Sequence, residues 1–296
     1  MTRVGIVGLG VMGSAMARNL LAAGHEVHGY DIVDEKVSAL EEMGGHGDSS
    51  VAEVVDHSDV VLLSLPSVEA LQEVTGQLTS HPKPDTVVVE MGTLPLEAKY
   101  EARDRLAEVG MTLLDVPVSG TGLQAADATL VVFASGPEDA FRKAEPIFAA
   151  IGRSTHYLGE FGLGSVMKYI ANLLVTIHNL STAEAHALGI AAGIDPEVVQ
   201  RVMSDGVGSS KIFDIRGPMM VRDVYEPPAA RLDIILKDAK IIRDFAKSVG
   251  APTPLLEAAI PVYEQSSAEG LGALDAAALC RFLERRAGLR RPTKRE

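Results

Sequence analysis

The sequence predicts an α/β protein in two parts: an N-terminal doubly wound, mostly parallel sheet domain over residues 1–163, then an all-α C-terminal domain over residues 164–296, joined by a long interdomain helix. Three observations predict it. The chain has 296 residues, and at roughly 100–200 residues per domain two domains are the natural division. Short apolar runs alternate with helical segments through the first half, the βαβα pattern of a parallel sheet covered on both faces. From Gly164 onward the pattern is almost only helical.

In order, residues 4–9 form a short apolar run that reads as a buried strand, and the Ala- and Leu-rich residues 13–23 read as a helix. "EVHGYD" (26–31) is a second strand and "DEKVSALEEMG" (34–44) a helix. "SSVAEVVDHS" and "SVEALQEVTGQL" are helices on either side of "DVVLLSLP", a continuous apolar strand stopped by proline. "TVVVEMGT" is a β-branched strand, "LPLEAKYEARDRLAEVG" a helix, and "MTLLDVPVSG" a strand running into a loop. "TLVVFASG" is a further strand and "PEDAFRKAEPIFAAIG" a further helix. After "STHYLGEFGLG" comes a helix over about 165–193, followed by four or five more. No repeat of fixed period and no low-complexity tract interrupts the chain.

Composition narrows the function. Hydrophobic residues make up 47%, and a chain of this size buries about three quarters of its unfolded surface without a staple. The single cysteine, Cys280, excludes an intrachain disulfide, and no Cys/His spacing matches a zinc motif, so no metal site is expected. A reducing, cytoplasmic setting is the expectation. "MTRVGIVG" enters a strand directly and predicts no secretory leader. No long uninterrupted apolar stretch predicts a membrane span. The formal charge of −13 argues against nucleic acid. The tail "RFLERRAGLRRPTKRE" is basic but lacks interleaved aromatics, and reads as a solvated helix end.

The opening stretch "VGIVGLGVMGSAMARNLLAAG" carries the first chemistry. A G-x-G-x-x-G motif alone is weak, but here it follows an apolar strand, opens a helix and begins an alternating α/β domain. Gly8 permits the tight turn, Gly10 lets backbone N–H groups approach a pyrophosphate, and Gly13 lets helix and sheet pack closely. Leu9, Val11 and Met12 complete the cradle, with the helix N-terminus facing the phosphates. The domain is therefore expected to be a Rossmann-type dinucleotide-binding domain. Asp31, at the end of the second strand, is placed to accept from the adenosine ribose hydroxyls and to repel a 2′-phosphate. No Arg follows it directly, so NAD is expected and NADP less so.

Three later stretches stand out. "DVPVSGTG" (115–122) runs a strand into a loop whose N–H groups can cradle a carboxylate, although an ordinary turn has the same composition. In "GLGSVMKYIANLLVTIHN" (162–179), Lys168, Asn172 and Asn179 share one helical face among apolar neighbours. Polar groups there are partnered or functional, and a desolvated lysine is suited to acid/base work because burial lowers its pKa. A lysine snorkelling to the surface would give the same spacing. In "LDIILKDAKII" (232–242), Lys237 and Asp238 interrupt an apolar helix, where a plain ion pair is the simplest account.

In this order and spacing the motifs resemble the β-hydroxyacid dehydrogenases, the family of 3-hydroxyisobutyrate dehydrogenase and tartronate semialdehyde reductase, over nearly the whole chain. The glycine fingerprint with "MARNL", "SLP" at 64–66, "GT" at 92–93, "DVPVSG" at 115–120, "GLGSVMK" followed by Asn172, and "LKD" at 236–238 carry the resemblance. It implies that Leu65, Pro66, Thr93 and Lys237 contact the cofactor. It implies that Ser119, Gly120 and Thr121 bind the carboxylate of a small hydroxyacid or aldehyde-acid. Lys168 would be the general acid/base beside the reacting oxygen, with Asn172 holding that oxygen and fixing Lys168. A homodimer or homotetramer is implied too. An imine reductase of the same architecture is a competing reading that Lys168 argues against. A non-catalytic NAD-binding protein is a second one, which intact Lys168 and Asn172 disfavour. The chain departs from the family pattern at Thr121, Ala171 and Ala230–Arg231, the last replacing a phenylalanine common seven residues before the late lysine. A substrate larger or more polar than 3-hydroxyisobutyrate would use the space at Ala230 and the polar groups of Arg231 and Thr121. Alternatively, Arg231 points to solvent and Phe213 or Tyr225 refills the wall.

Overall fold

The computed structural model describes residues 2–289 and 291. The rest of the basic tail lies outside the described residues. The chain divides into two compact units, Met1–Lys168 and Tyr169–Glu296.

The first unit opens with β1 (Arg3–Val7), α1 (Val11–Ala22), β2 (Glu26–Tyr30), α2 (Asp34–Glu42) and β3 (His46–Gly47). It continues with α3 (Val51–His57), β4 (Val60–Leu63), α4 (Val68–Ser80), β5 (Val87–Glu90), α5 (Leu96–Ala107) and β6 (Thr112–Asp115). These six strands form one all-parallel sheet in the order β3-β2-β1-β4-β5-β6. Side chains alternate across it with the strand period of two. Val4, Ile6, Val60, Leu62, Val87 and Val89 join the core under α1 and a later helix over Glu138–Ile151. Val7, Val61, Leu63 and Val88 join the opposite core, under α3, α4 and α5. Both faces are covered, which is why the strands read as continuous apolar runs.

The unit ends with β7 (Val118–Ser119), α6 (Gly122–Ala126), β8 (Leu130–Ala134), α7 (Glu138–Ile151) and β9 (Gly152–Tyr157). β7 pairs antiparallel with β8, and β8 parallel with β9, in a separate three-stranded sheet. The sequence reading ran β6 and β7 together and missed β3, β9 and α6. β9, "GRSTHY", is half exposed and polar and carries no apolar alternation. β3 is two residues long.

The second unit follows along α8 (Leu163–Ala191), which begins in the first. It contains α9 (Pro196–Ser204), α10 (Lys211–Arg222), α11 (Leu232–Ser248), α12 (Pro254–Ser266) and α13 (Leu279–Arg286). Its core gathers Leu180, Met220, Tyr225, Leu232, Ile235, Tyr263 and Phe282. Among the described residues no helix is long and apolar enough to cross a membrane.

Candidate active site

The glycine turn sits where the strand order reverses, between β1 with its neighbour β2 and the returning β4, the position at which open α/β sheets bind ligands. Gly8 takes φ +95°, and a Cβ there would lie 2.4 Å from the Ser64 carbonyl oxygen. A Cβ on Gly13 would lie 1.9 Å from the Gly8 carbonyl oxygen, so α1 can approach β1 this closely only with glycine there. Gly10 differs, since a Cβ there would meet no heavy atom within 4 Å. Its bareness serves no packing inside the protein and leaves the backbone approachable. Gly10 is also the N-cap of α1 and places no side chain over the helix end. The first N–H groups of α1 are thus left for a ligand, with the positive end of the helix dipole behind them. These features fit the pyrophosphate of a dinucleotide.

Asp31 follows β2 directly. One carboxylate oxygen accepts from Leu9 N–H at 2.7 Å and the other from Val33 N–H at 3.0 Å. Asp31 therefore pins the glycine turn while keeping lone pairs for a further donor. Ile32, the next residue, is 86% exposed. Leu65 and Pro66 follow β4, and Gly92 and Thr93 follow β5, at the same edge of the sheet. Met91 N–H donates to Leu63 O, which ties the two loops together.

Beneath this edge lies a charged cluster that sequence reasoning missed. Glu90 ends β5, Lys99 lies on α5 and Asp115 ends β6, all fully buried. Lys99 Nζ donates to Asp115 Oδ1 and to Gly92 O, each at 2.8 Å, and forms an ion pair with Glu90. Glu90 Oε1 accepts from Gly92 N–H. Asp115 reaches the first turn of α8, where Ser165 N–H and Oγ–H donate to its two oxygens at 2.7 Å each. Ser135 Oγ–H donates to Asp115, and Gly164 N–H donates to Ser135 Oγ. Burial pushes the Glu90 carboxyl up from its usual range. Burial works to lower Lys99, but Asp115 and Glu90 outweigh it and hold the ammonium above its ordinary value. One lysine thus fixes the "GT" loop after β5 and, through Asp115, the start of the helix that carries Lys168. The sequence signal was there: Glu90 and Asp115 each end an otherwise apolar strand.

The loop over residues 119–122 is more constrained than its composition suggests. Thr121 N–H donates to Gln124 Oε1 at 2.8 Å, and its hydroxyl donates to the same oxygen. Thr121, expected to bind the substrate carboxylate, thus places both its N–H and its hydroxyl against Gln124. Ser119 ends β7 and Gly120 is exposed.

Lys168 lies in the second turn of α8, inside the first unit. Asn172 is one helical turn further on, in the second unit, where its Nδ2 donates to Asp238 Oδ2 at 2.8 Å. Lys237 Nζ lies 3.1 Å from the other Asp238 oxygen. Asn172 and the late "LKD" motif therefore meet. Asn179 belongs to the core, donating to Tyr263 OH and Ala276 O. Arg231 pairs with Asp233 and is half exposed. Phe213 is buried against His186, and Tyr225 is buried beneath the Arg281 guanidinium.

Comparison with known proteins gives the family. Residues 3–159 match the NAD-binding domain of 6-phosphogluconate dehydrogenase, and residues 162–283 match the NAD-binding domain of NADP-dependent 3-hydroxyisobutyrate dehydrogenase. The chain belongs to the β-hydroxyacid dehydrogenase family. It is 33% identical to an L-threonate dehydrogenase of Cupriavidus necator over 99% of each chain. It is 29% identical to a 2-(hydroxymethyl)glutarate dehydrogenase of Eubacterium barkeri, over 97% of this chain and 96% of that one. The crystal structure of a 3-hydroxyisobutyrate dehydrogenase from Salmonella typhimurium superposes with a TM-score of 0.87 at 30% identity, covering 95% of this chain and all of that one. The chain is an oxidoreductase with an NAD(P)-binding domain.

Proposed function

We propose that the protein interconverts a polyhydroxylated or dicarboxylic 3-hydroxyacid of four to six carbons and its keto or aldehyde acid, with NAD as the preferred cofactor. The observation that carries the substrate class is the whole-length similarity to dehydrogenases named for L-threonate and for 2-(hydroxymethyl)glutarate. Both names describe acids larger and more polar than 3-hydroxyisobutyrate. Ala230 supports the same reading, since a small residue stands where the family pattern has a phenyl ring.

When bound, the nicotinamide supplies the hydride acceptor or donor. Gly8 to Gly13 and the start of α1 hold its pyrophosphate, Asp31 its adenosine ribose, and Leu65, Pro66, Thr93 and Lys237 its remaining length. Ser119, Gly120 and Thr121 form the substrate carboxylate loop, with the Thr121 hydroxyl acting through Gln124. Lys168 moves the proton, taking it from the substrate hydroxyl in oxidation and returning it to the carbonyl oxygen in reduction. Asn172 steadies that oxygen, its amide oriented by Asp238. The setting is cytoplasmic, the assembly a homodimer or homotetramer, and no nucleic acid or membrane is involved.

Initial rates with a hydroxyacid panel test the substrate. We expect kcat/KM for L-threonate to exceed that for 3-hydroxyisobutyrate by about tenfold or more, because a site built for substrate hydroxyls discriminates strongly against analogues lacking them. Ala230→Phe narrows that ratio. The reading fails if the small acid is best and the substitution leaves the ranking unchanged.

Asp31 sets the cofactor. Wild type is expected to show the higher kcat/KM with NADH than with NADPH. Asp31→Ser lowers the NADH value by about tenfold or more, as expected for lost charge-assisted hydrogen bonds, and flattens or reverses the preference. A wild-type preference for NADPH overturns the assignment.

A further inference from the structure

Three histidines and two carboxylates cluster at the edge of the large sheet, on the face covered by α3. His28 lies on β2, His46 on β3, Asp48 just after β3, and His57 is the last residue of α3. Asp48 is buried, and its two oxygens point at two imidazoles. Oδ2 lies 3.2 Å from His28 Nδ1, and Oδ1 lies 3.1 Å from His57 Nδ1. The two rings sit side by side, with centroids 4.7 Å apart. We propose that His28, Asp48 and His57 bind one divalent transition-metal ion of the Zn²⁺ class, through both Nδ1 atoms and the carboxylate.

Four features carry this. One ligand atom from each of the three residues lies within 4.8 Å of the other two. A tetrahedral ion with bonds of about 2.0–2.2 Å holds its ligand atoms roughly 3.3–3.5 Å apart, so small side-chain rotations close the set. Second, the ligands are two imidazoles and one carboxylate. Imidazole nitrogen selects zinc-like ions over Mg²⁺ or Ca²⁺, which prefer all-oxygen shells. Third, the outer shell is already in place. His28 Nε2 lies 3.1 Å from Glu26 Oε1, so with the ion on Nδ1 the other ring nitrogen donates to a carboxylate, the arrangement that orients metal-bound histidines. Asp48 is held in turn by its own N–H, which donates to Gly29 O. Fourth, among the described residues Asp48 has no Lys or Arg beside it and forms ion pairs only with these two histidines. A divalent cation supplies a full countercharge to a buried carboxylate.

A second group, Glu26, His28 and His46, meets the same distance limit. It is the more open one, with His46 exposed and the Glu26 side chain 36% exposed. Asp48 is 6% exposed at its side chain, while His57 is half exposed and leaves a path for the ion and for a water as fourth ligand. Ligation would join β2, the loop after the two-residue edge strand β3, and the end of α3. The spacing of residues 28, 48 and 57 matches no zinc motif, because strand, loop and helix each contribute one ligand.

The test uses tag-free protein, stripped with a chelator and dialysed against ZnCl₂, with bound metal counted by mass spectrometry. Wild type is expected to hold one Zn²⁺ per chain. Asp48→Asn and His57→Ala each weaken binding at least about tenfold, and His46→Ala leaves it unchanged. Co²⁺ in place of Zn²⁺ gives the visible bands of a four-coordinate ion in wild type and loses them in Asp48→Asn and His57→Ala. NADH titration of every variant confirms that its nucleotide domain is folded, and the half-exposed His57 keeps the test open if Asp48→Asn does not fold. The proposal is overturned if wild type binds no stoichiometric metal. It is equally overturned if folded His57→Ala binds as wild type does, or if the loss follows His46→Ala.

Discussion

Lys168→Ala lowers kcat by about 10²–10⁴-fold while NADH binding stays near wild type. That range is what a positioned general acid/base contributes. The split between the two measurements is the substance of the prediction. Lys168 belongs to the helix that starts at the Asp115 cluster, whereas the pyrophosphate cradle is built from the glycine turn and the start of α1. Removing the amine leaves that turn and its Asp31 clamp untouched, so the dissociation constant for NADH, read by fluorescence titration, should hold. Steady-state rates then report the lost proton transfer alone. Lys168→Arg should not rescue, because a guanidinium stays protonated and cannot accept the hydroxyl proton in oxidation. Near-normal turnover in Lys168→Ala would remove the central role assigned to this residue. A parallel loss of NADH affinity would instead make Lys168 a cofactor ligand.

The parts of the fold legible in the sequence were those in which burial shapes composition. β4 and β5 are buried on both faces, so "VVLL" and "VVVE" announce themselves. The glycine turn was legible because Gly8 and Gly13 are demanded by backbone contacts that no other residue satisfies. β9 was not, since its half-exposed polar residues are held by hydrogen bonds to β8 and not by apolar burial. Within the site, Asp31 could be placed from its position after β2, but not its grip on Leu9 N–H. The contacts of Thr121 with Gln124 were invisible, because only the fold shows that Gln124 turns back onto it. Arg231 read as a substrate contact or a solvent-facing cation, and its pair with Asp233, two residues on, was not part of that reading. Such pairings depend on local backbone geometry that composition does not encode.

Lys99→Met destabilises the protein by about 3–5 kcal/mol, the cost of removing one partner from a buried ion pair. Side-chain volume is nearly conserved, so a cavity contributes little and the electrostatic loss dominates. Glu90 and Asp115 would be left fully buried without their cation, and Gly92 O would lose its donor. Glu90→Gln is expected to cost much less. In wild type one ammonium faces two carboxyl groups, and burial already favours the protonated form of Glu90. A neutral amide there leaves Lys99 and Asp115 as a balanced pair and can still accept from Gly92 N–H. Urea denaturation at neutral pH measures both variants on the same scale. The account requires Lys99→Met to be the more damaging by at least about 2 kcal/mol. Equal losses would mean that the two carboxylates are not the source of the cost. In whatever Lys99→Met protein remains folded, kcat should fall while NADH affinity is better preserved, because Asp115 holds Ser165 at the start of the Lys168 helix. Loss of affinity with kcat intact would place the cluster's influence on the loop at Gly92–Thr93 instead.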